Sequence, residues 1–157
     1  MKENKKELDA VIVGAGFAGI HQLLKLRRMG LSAIIIEKAD QIGGTWHWNR
    51  YPGARCDIPS LEYSYQFDED LQQEWNWSEK YSAQPEILEY INHVADRFEL
   101  RDGIQFNEEV IKAEFDEVNS RWKIETSGSN YESRFVIFAT GCLSVPNKPD
   151  FEGLENF

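Results

Sequence analysis

The stretch LDAVIVGAGFAG, residues 8–19, decides the fold of this chain. Its first half, Leu8–Val13, is a short apolar run rich in β-branched residues, which is typical of a buried strand. Its second half, Gly14–Gly19, is a complete G-x-G-x-x-G motif. A strand that leads directly into this motif predicts a tight turn and then the N-terminus of a helix.

The residues after the glycines complete a βαβ unit. Apolar side chains recur at helical spacing, and Gly30 suits a C-terminal cap, so the helix is predicted to end near Met29. A second apolar run, residues 33–36, ends at Glu37, which lies about the expected 20 residues beyond the glycines. We therefore predict a βαβ nucleotide-binding unit over residues 8–37.

Each residue type in this unit has a physical role in holding a dinucleotide. Gly14 permits the tight turn, Gly16 lets the backbone approach a pyrophosphate, and Gly19 lets helix and strand pack closely. The helix N-terminus adds free N–H groups and a partial positive charge. Glu37 can accept hydrogen bonds from the ribose hydroxyls of an adenosine, and its charge would repel a 2′-phosphate. The unit therefore favours FAD or NAD over NADP.

The composition disfavours several classes of function. The 157 residues suffice for one domain, and 17 basic against 27 acidic residues give a net charge of −10. There is neither a basic stripe nor a clustered arginine patch, so nucleic acid and anionic membranes are poor partners. No apolar run approaches the roughly 18 residues of a membrane span, and residues 1–10 lack the apolar core of a signal peptide. We therefore expect a cytoplasmic protein.

The cysteines and histidines do not form a recognisable set of metal ligands. Cys56 and Cys142 are far apart without a C-x-x-C motif, and the three histidines are isolated at His21, His47 and His93. We therefore expect neither a disulfide framework nor a metal site, and we expect both cysteines to pack in the core or beside a ligand.

The remaining elements alternate between helix and strand patterns. A helix is predicted to begin at residues 84–86, with an apolar face formed by Ile87, Ile91, Val94 and Phe98. The sequence further predicts a surface helix and loop over 68–79, a short strand over 104–106, a β-hairpin from 110–118 and 121–126, and a fully buried apolar strand over 135–138. The predicted fold class is therefore α/β, a Rossmann-like unit with an inserted β-hairpin.

The segment that follows the βαβ unit is rich in both aromatic and charged residues. Residues 43–57 have the sequence GGTWHWNRYPGARCD. Loops that combine these two kinds of side chain are usually there for a ligand. Thr45 offers a hydroxyl and a backbone N–H, and Trp46 and Trp48 offer flat apolar walls with one N–H each.

Together these motifs resemble the FAD-binding half of flavoproteins that have two dinucleotide-binding domains. The similarity rests on the glycine fingerprint, on Glu37 followed by Gly43 and Gly44, and on the strand end Ala139–Gly141. Within residues 43–57, GGTW is followed after four residues by YPG, and YPG is followed after three residues by Asp57. This spacing is similar to the signature of Baeyer-Villiger monooxygenases. The resemblance covers essentially the whole chain, with further similar stretches at residues 58–63, 74–77, 84–88 and 143–146.

The resemblance implies a set of FAD-binding residues. The three glycines of the fingerprint would cradle the pyrophosphate, and Glu37 would bind the adenosine ribose. Thr45–Trp48 would follow the pyrophosphate and the ribityl chain, the Val110 backbone would meet the adenine, and Tyr63 would contact the flavin. The implied set is Gly14, Gly16, Gly19, Glu37, Gly44, Thr45, Trp46, His47, Trp48, Arg55, Cys56, Asp57, Tyr63 and Val110.

The resemblance also places the catalytic edge of the chain at Arg55, Cys56 and Asp57. This tripeptide would lie where nicotinamide and flavin meet, with Asp57 as the catalytic residue. Asp57 would be a buried carboxylate that partners an arginine from a later part of the protein. The pair would stabilise a peroxyflavin and the developing charge on a ketone oxygen.

The implied activity is an NADPH-dependent Baeyer-Villiger oxygenation, which inserts one oxygen atom of O2 beside a ketone carbonyl to give an ester or lactone. Two alternatives stay open: a flavin monooxygenase that oxidises nitrogen or sulfur, which the spacing of the loop disfavours, and an inactive FAD-binding remnant. The family has a second glycine fingerprint for NADPH and a catalytic arginine that residues 1–157 lack. We therefore expect the N-terminal portion of an FAD-binding domain, incomplete before the NADPH domain and inactive alone.

Overall fold

A computed structural model of the protein describes residues 6–156. Its helices are α1 (Phe17–Arg28), α2 (Thr45–Trp48), α3 (Glu69–Glu74) and α4 (Gln84–Arg97). Its strands are β1 (Lys6–Val13), β2 (Ala33–Ile36), β3 (Ile104–Gln105), β4 (Val110–Asp116), β5 (Arg121–Thr126) and β6 (Asn130–Phe138). Short 3₁₀ turns lie at Ser60–Tyr63, Arg101–Gly103 and Leu154–Asn156. The predicted α/β class is confirmed.

The strands form one mixed sheet in the order β3-β2-β1-β6-β5-β4. β1 is parallel to both of its neighbours, β2 and β6, and β2 is also parallel to β3. The remaining strands, β4, β5 and β6, form an antiparallel meander. Because β1 and β2 are parallel and joined through α1, their carboxyl ends meet at the same edge of the sheet, as in other nucleotide-binding βαβ units.

The two faces of the sheet are covered differently. On one face the helices α1 and α4 bury a cluster that includes Ile12, Leu23, Ile35, Ile91 and Val94. On the other face Val11 and Ile36 pack against residues of the meander, among them Ile124 and Tyr131. The predicted apolar face of α4 is therefore confirmed. No helix within residues 6–156 is long and apolar enough to cross a bilayer.

The last strand is less buried than its apolar sequence predicts. Phe135 and Phe138 are 50% and 59% exposed, so the prediction of a fully buried strand over residues 135–138 is wrong. β5 pairs with β6 only over Asn130–Ser133. From residue 134 onward, one edge of β6 is paired with β1, and no strand among the described residues pairs with its other edge. An apolar run predicts a strand, but it does not show how long the neighbouring strand is.

Other differences are local. β4 ends at Asp116, because this carboxylate accepts two backbone hydrogen bonds from the hairpin turn. The segment 68–79 is not wholly a surface element, since its tryptophans pack against Tyr90 with ring centroids 5.3 and 5.1 Å away. Cys56 is buried as expected, whereas Cys142 is exposed and the expectation of a packed thiol there is wrong.

Candidate cofactor-binding site

Close backbone approaches shape the turn between β1 and α1. Gly14 has a φ of +103°, and a Cβ there would lie 2.7 Å from the carbonyl oxygen of Ala139. A Cβ on Gly19 would lie 1.9 Å from the Gly14 carbonyl oxygen. Neither position has room for a side chain. The turn therefore stays tight, and α1 starts directly at the carboxyl end of β1.

The second glycine of the motif needs a different explanation. Gly16 has a φ of −80° and a ψ of −171°, an extended conformation that any residue adopts. A Cβ there would lie 3.5 Å from the Gly44 Cα, which is an ordinary van der Waals contact. The packing of the protein itself thus does not require glycine at position 16. The missing side chain leaves open the N-terminus of α1, whose first turn has no acidic residue and no side-chain cap among the described residues.

Glu37 lies at the carboxyl end of β2, where backbone N–H groups hold its carboxylate. Its Oε2 accepts a hydrogen bond from Ala15 N at 2.6 Å, and its Oε1 accepts one from Ala39 N at 2.8 Å. The residue is only 6% exposed. An ionised carboxylate has about four acceptor positions, and these two bonds leave about two of them for further donors. The glycine turn and the acid predicted from the sequence thus lie in one site.

The backbone of Glu37 is held as firmly as its side chain. Its N–H donates to the carbonyl oxygen of Gln105 at 2.8 Å, and its own carbonyl accepts from Glu108 N at 3.0 Å. The segment that leaves β3 therefore crosses the carboxyl end of β2 before it begins β4 at Val110. Val110, the first residue of β4, is half-buried.

The GGTW segment abuts the glycine turn. Gly43 N donates to the carbonyl oxygen of Ala15 at 3.0 Å. Gly44 has a φ of +55°, and a Cβ there would lie 2.9 Å from the Gly16 Cα. The chain then forms the short helix α2, so residues 45–48 are helical rather than part of an irregular loop. The structure thereby places Thr45 beside the N-terminus of α1.

The aromatic side chains of α2 differ in their exposure. Trp46 is buried and packs edge-on against Tyr63, with ring centroids 5.5 Å apart. Trp48 is 53% exposed. His47 is buried, with Nε2 3.5 Å from the Asp40 carboxylate and with Nδ1 lacking a hydrogen-bond partner among residues 6–156. Trp46 is therefore part of the packed wall of the site, while Trp48 faces outward.

The tripeptide 55–57 is anchored to the segment that precedes α4. The Arg55 guanidinium donates to the Glu79 carboxylate at 2.7 Å and to the carbonyl oxygen of Tyr81. The hydrogen bond to Glu79 raises the pKa of Arg55 further. The Cys56 N–H donates to the Ser82 carbonyl oxygen at 3.1 Å. These contacts hold the backbone on the N-terminal side of Asp57.

Asp57 is exposed within residues 6–156, and the arginine expected to cover it comes from a later part of the protein, so the buried carboxylate stays a prediction. Arg55 does not cover it, because the guanidinium pairs with Glu79 instead. Asp57 nevertheless lies close to the site. Burial raises the pKa of Tyr63, and the nearby Cys56 and Asp57 raise that pKa further. The tripeptide and the Trp46–Tyr63 pair thus lie in the same region.

Two buried serine hydroxyls beside residues 55–57 were not predicted from the sequence. Ser60 and Ser82 are 2% and 0% exposed. The Ser60 hydroxyl accepts from Ser82 N at 2.8 Å and donates to the carbonyl oxygen of Glu79 at 2.8 Å. Serines separated by 22 residues give no local signal of such a contact. They link the loop that contains Cys56 to the segment that precedes α4.

A family model described as pyridine nucleotide-disulphide oxidoreductase matches residues 11–157. The chain belongs to this family. Its glycine turn, its parallel βαβ unit and the acid at the end of β2 are the features of a dinucleotide-binding domain.

Characterised relatives narrow the comparison to monooxygenases. The chain is 44% identical to the acetone monooxygenase (methyl acetate-forming) of Gordonia sp. (strain TY-5), over 96% of this chain and 28% of that protein. It is 41% identical to the phenazine N-monooxygenase of Lysobacter antibioticus, over 98% of this chain and 29% of that protein. The resemblance to Baeyer-Villiger monooxygenases is confirmed over the residues compared.

Solved structures give the same result. An oxidised steroid monooxygenase bound to NADP is 50% identical, with a TM-score of 0.90, over 96% of this chain and 29% of that one. A complex of OTEMO with FAD and NADP is 40% identical, with a TM-score of 0.88, over 96% and 29%. The chain therefore spans less than a third of the length of these relatives.

Proposed function

We propose that this chain binds FAD between the glycine turn, Glu37 and α2. The observation that carries the proposal is the Glu37 carboxylate, which two backbone N–H groups orient and which keeps about two acceptor positions for the ribose hydroxyls. The open N-terminus of α1 beside Gly16 suits the pyrophosphate. A structural relative that holds both FAD and NADP supports the same cofactors here.

The proposal divides the remaining site residues between the two ends of the cofactor. Residues 8–37 and the Val110 backbone would hold the adenosine end, and residues 43–57 with Tyr63 would line the flavin end. Trp46 and Tyr63 form a packed aromatic wall, which suits a flat ring system. We assign residues 1–157 to the N-terminal portion of an FAD-binding domain on this basis.

We further propose that the protein is a Baeyer-Villiger monooxygenase. In this reaction a ketone, O2, NADPH and a proton give an ester or lactone, NADP⁺ and water. Bound FAD supplies the redox chemistry, and the protein supplies binding, orientation and charge. The contribution of this chain to the reaction is Asp57, whose exposed carboxylate can orient a cationic side chain or the nicotinamide at the flavin edge.

Oxidation of nitrogen is the second candidate. The observation that favours it is the 41% identity to a phenazine N-monooxygenase, which is close to the 44% identity to the acetone monooxygenase. The N-terminal region alone therefore does not separate the two reactions. Residues that contact the substrate decide between them.

Product analysis under ¹⁸O2 tests these proposals. A full-length protein that contains this region is incubated with FAD, NADPH and either a simple aliphatic ketone or an aromatic N-heterocycle, and products are identified by mass spectrometry. We expect one ¹⁸O atom in an ester from the ketone. A labelled N-oxide without ester would favour the second candidate, and bound flavin without either product would indicate an inactive remnant. Failure to bind FAD would overturn the proposed site.

Gly16→Ala is expected to separate folding from cofactor binding. The free energy of unfolding should stay within about 1 kcal/mol of wild type, because the backbone conformation suits alanine. The affinity for FAD should fall about tenfold, about 1.4 kcal/mol, since a methyl group would keep the pyrophosphate from the backbone. Urea denaturation and flavin titration measure the two effects.

Lys25→Ala is the control for this change. Lys25 is exposed in the last turn of α1, at the other end of the helix from Gly16. The change should leave the affinity for FAD unchanged. Equal losses in the two variants, or no loss in Gly16→Ala, would contradict the placement of the pyrophosphate.

A further inference from the structure

Glu108 is a buried acid to which the site described above gives no role. It is 8% exposed, and its carboxylate contacts the Thr126 hydroxyl and lies 3.2 Å from the Tyr131 hydroxyl. The ion pairs found among residues 6–156 do not include it. Burying a carboxylate without a cation is costly. Among the described residues, its side-chain partners are hydroxyl groups, and no cation offsets the cost of burying its charge.

The backbone and the side chain of Glu108 reach different parts of the molecule. Its N–H donates to the carbonyl oxygen of Glu37 at 3.0 Å. Its carboxylate meets β5 through Thr126 and β6 through Tyr131, which are 7% and 2% exposed. Glu108 thus connects the end of β2 to the meander through contacts that are shielded from water.

The same residue also sets the start of β4. Val110 follows two positions later and pairs with Thr126, the strand residue that the Glu108 side chain contacts. The register of β4 shifts directly after Val110, between Val110 and Lys112. The hydrogen bonds between β4 and β5 after this shift therefore constrain the position of Val110 less. The contact of Glu108 with Thr126 adds a second constraint on that position.

We propose that Glu108 is a positioning residue for the adenosine half of the dinucleotide. It joins Glu37 and Val110, the groups expected at the ribose and the adenine, to the rigid meander without touching the cofactor itself. This inference rests on the proposed FAD site. Loss of the Glu108 carboxylate should leave the meander free to move relative to the end of β2.

The chain provides its own control for this proposal. Glu109 is the neighbouring residue with the same side chain, but it is 64% exposed and lies 4.0 Å from Lys38 at the surface. Glu109→Ala therefore removes the same atoms without removing a buried contact. Glu108→Gln is the conservative variant, because an amide can still hydrogen-bond to Thr126 and Tyr131.

The test combines flavin titration with NMR of the folded protein. In Glu108→Ala the dissociation constant for FAD should rise about tenfold. In Glu108→Gln and Glu109→Ala it should stay within about twofold of wild type, less than 0.5 kcal/mol. The amide resonances of Ala15 and Ala39, which donate to the Glu37 carboxylate, should shift in Glu108→Ala without FAD. A merely structural role would lower the melting temperature and leave these folded-state resonances unmoved.

Tyr131→Phe keeps the proposal testable if Glu108→Ala does not fold, since it removes one hydroxyl contact and keeps the ring. It should raise the dissociation constant about twofold to threefold and shift the Ala15 amide. Unchanged affinity and unchanged amides in the folded variant would overturn the inference alone. A wild-type protein that does not bind FAD would overturn the proposed function, and with it the role of Glu108 in binding.

Discussion

In a full-length protein that contains this region, Asp57→Ala is expected to lower ketone oxygenation about 100-fold while FAD stays bound. The glycine turn and Glu37 hold the far end of the cofactor, so binding should not depend on this carboxylate. Loss of a preorganised charge at the flavin edge removes the orientation of the groups that contact it. The measurements are the turnover number with a ketone, the NADPH consumed per ester formed, and the flavin content after gel filtration.

Two further variants separate charge from structure at this position. Asp57→Asn keeps the shape of the side chain and removes its charge, so it should resemble Asp57→Ala in turnover. Glu62→Ala removes an exposed acid from the adjacent 3₁₀ turn and should leave turnover unchanged. If Asp57→Ala shows the turnover and coupling of wild type, Asp57 is only a structural residue of the loop.

In a full-length protein that contains this region, Glu37→Ala is expected to weaken FAD binding by about 1.5 to 3 kcal/mol, the loss for hydrogen bonds to a charged group. This corresponds to a rise of roughly 10-fold to 150-fold in the dissociation constant. The same change leaves the N–H groups of Ala15 and Ala39 without their acceptor, so stability should fall as well. Flavin titration and urea denaturation, performed on the same preparation, measure both effects.

Glu37→Gln distinguishes the loss of ribose contacts from the loss of the turn. Its amide oxygen can still accept one of the two backbone bonds, so the fold should be preserved better than in the alanine variant. Glu109→Ala serves again as the exposed control. Flavin retention equal to wild type in Glu37→Ala would mean that the adenosine lies elsewhere.

The βαβ unit and the hairpin could be predicted because their signals are local. The glycines at 14 and 19 are required by contacts with backbone, and the strand and helix patterns lie next to them in the sequence. Burial of β6 could not be predicted in the same way. Its apolar run is continuous, but β5 pairs only with residues 130–133. The sequence of one strand does not show how far the neighbouring strand extends.

The segment 43–57 was recognised as part of a ligand site, yet its arrangement depends on distant residues. The contacts of Arg55 with Glu79 and of Ser60 with Ser82 join positions separated by 24 and 22 residues. Such pairs have no periodicity, so only the resemblance predicts a buried Asp57. The tertiary contacts direct Arg55 away from that acid.

By itself the sequence determined that this chain contains a dinucleotide-binding unit, because the strand, the glycine motif, the helix and the acid follow one another within residues 8–37. Only the tertiary structure decided the environment of each acid. Glu37 is buried and held by two N–H groups, while Glu108 is buried beside an exposed Glu109. The last two are adjacent and identical in type. Their environments differ because the donors around a carboxylate come from distant strands, which only the folded chain brings together.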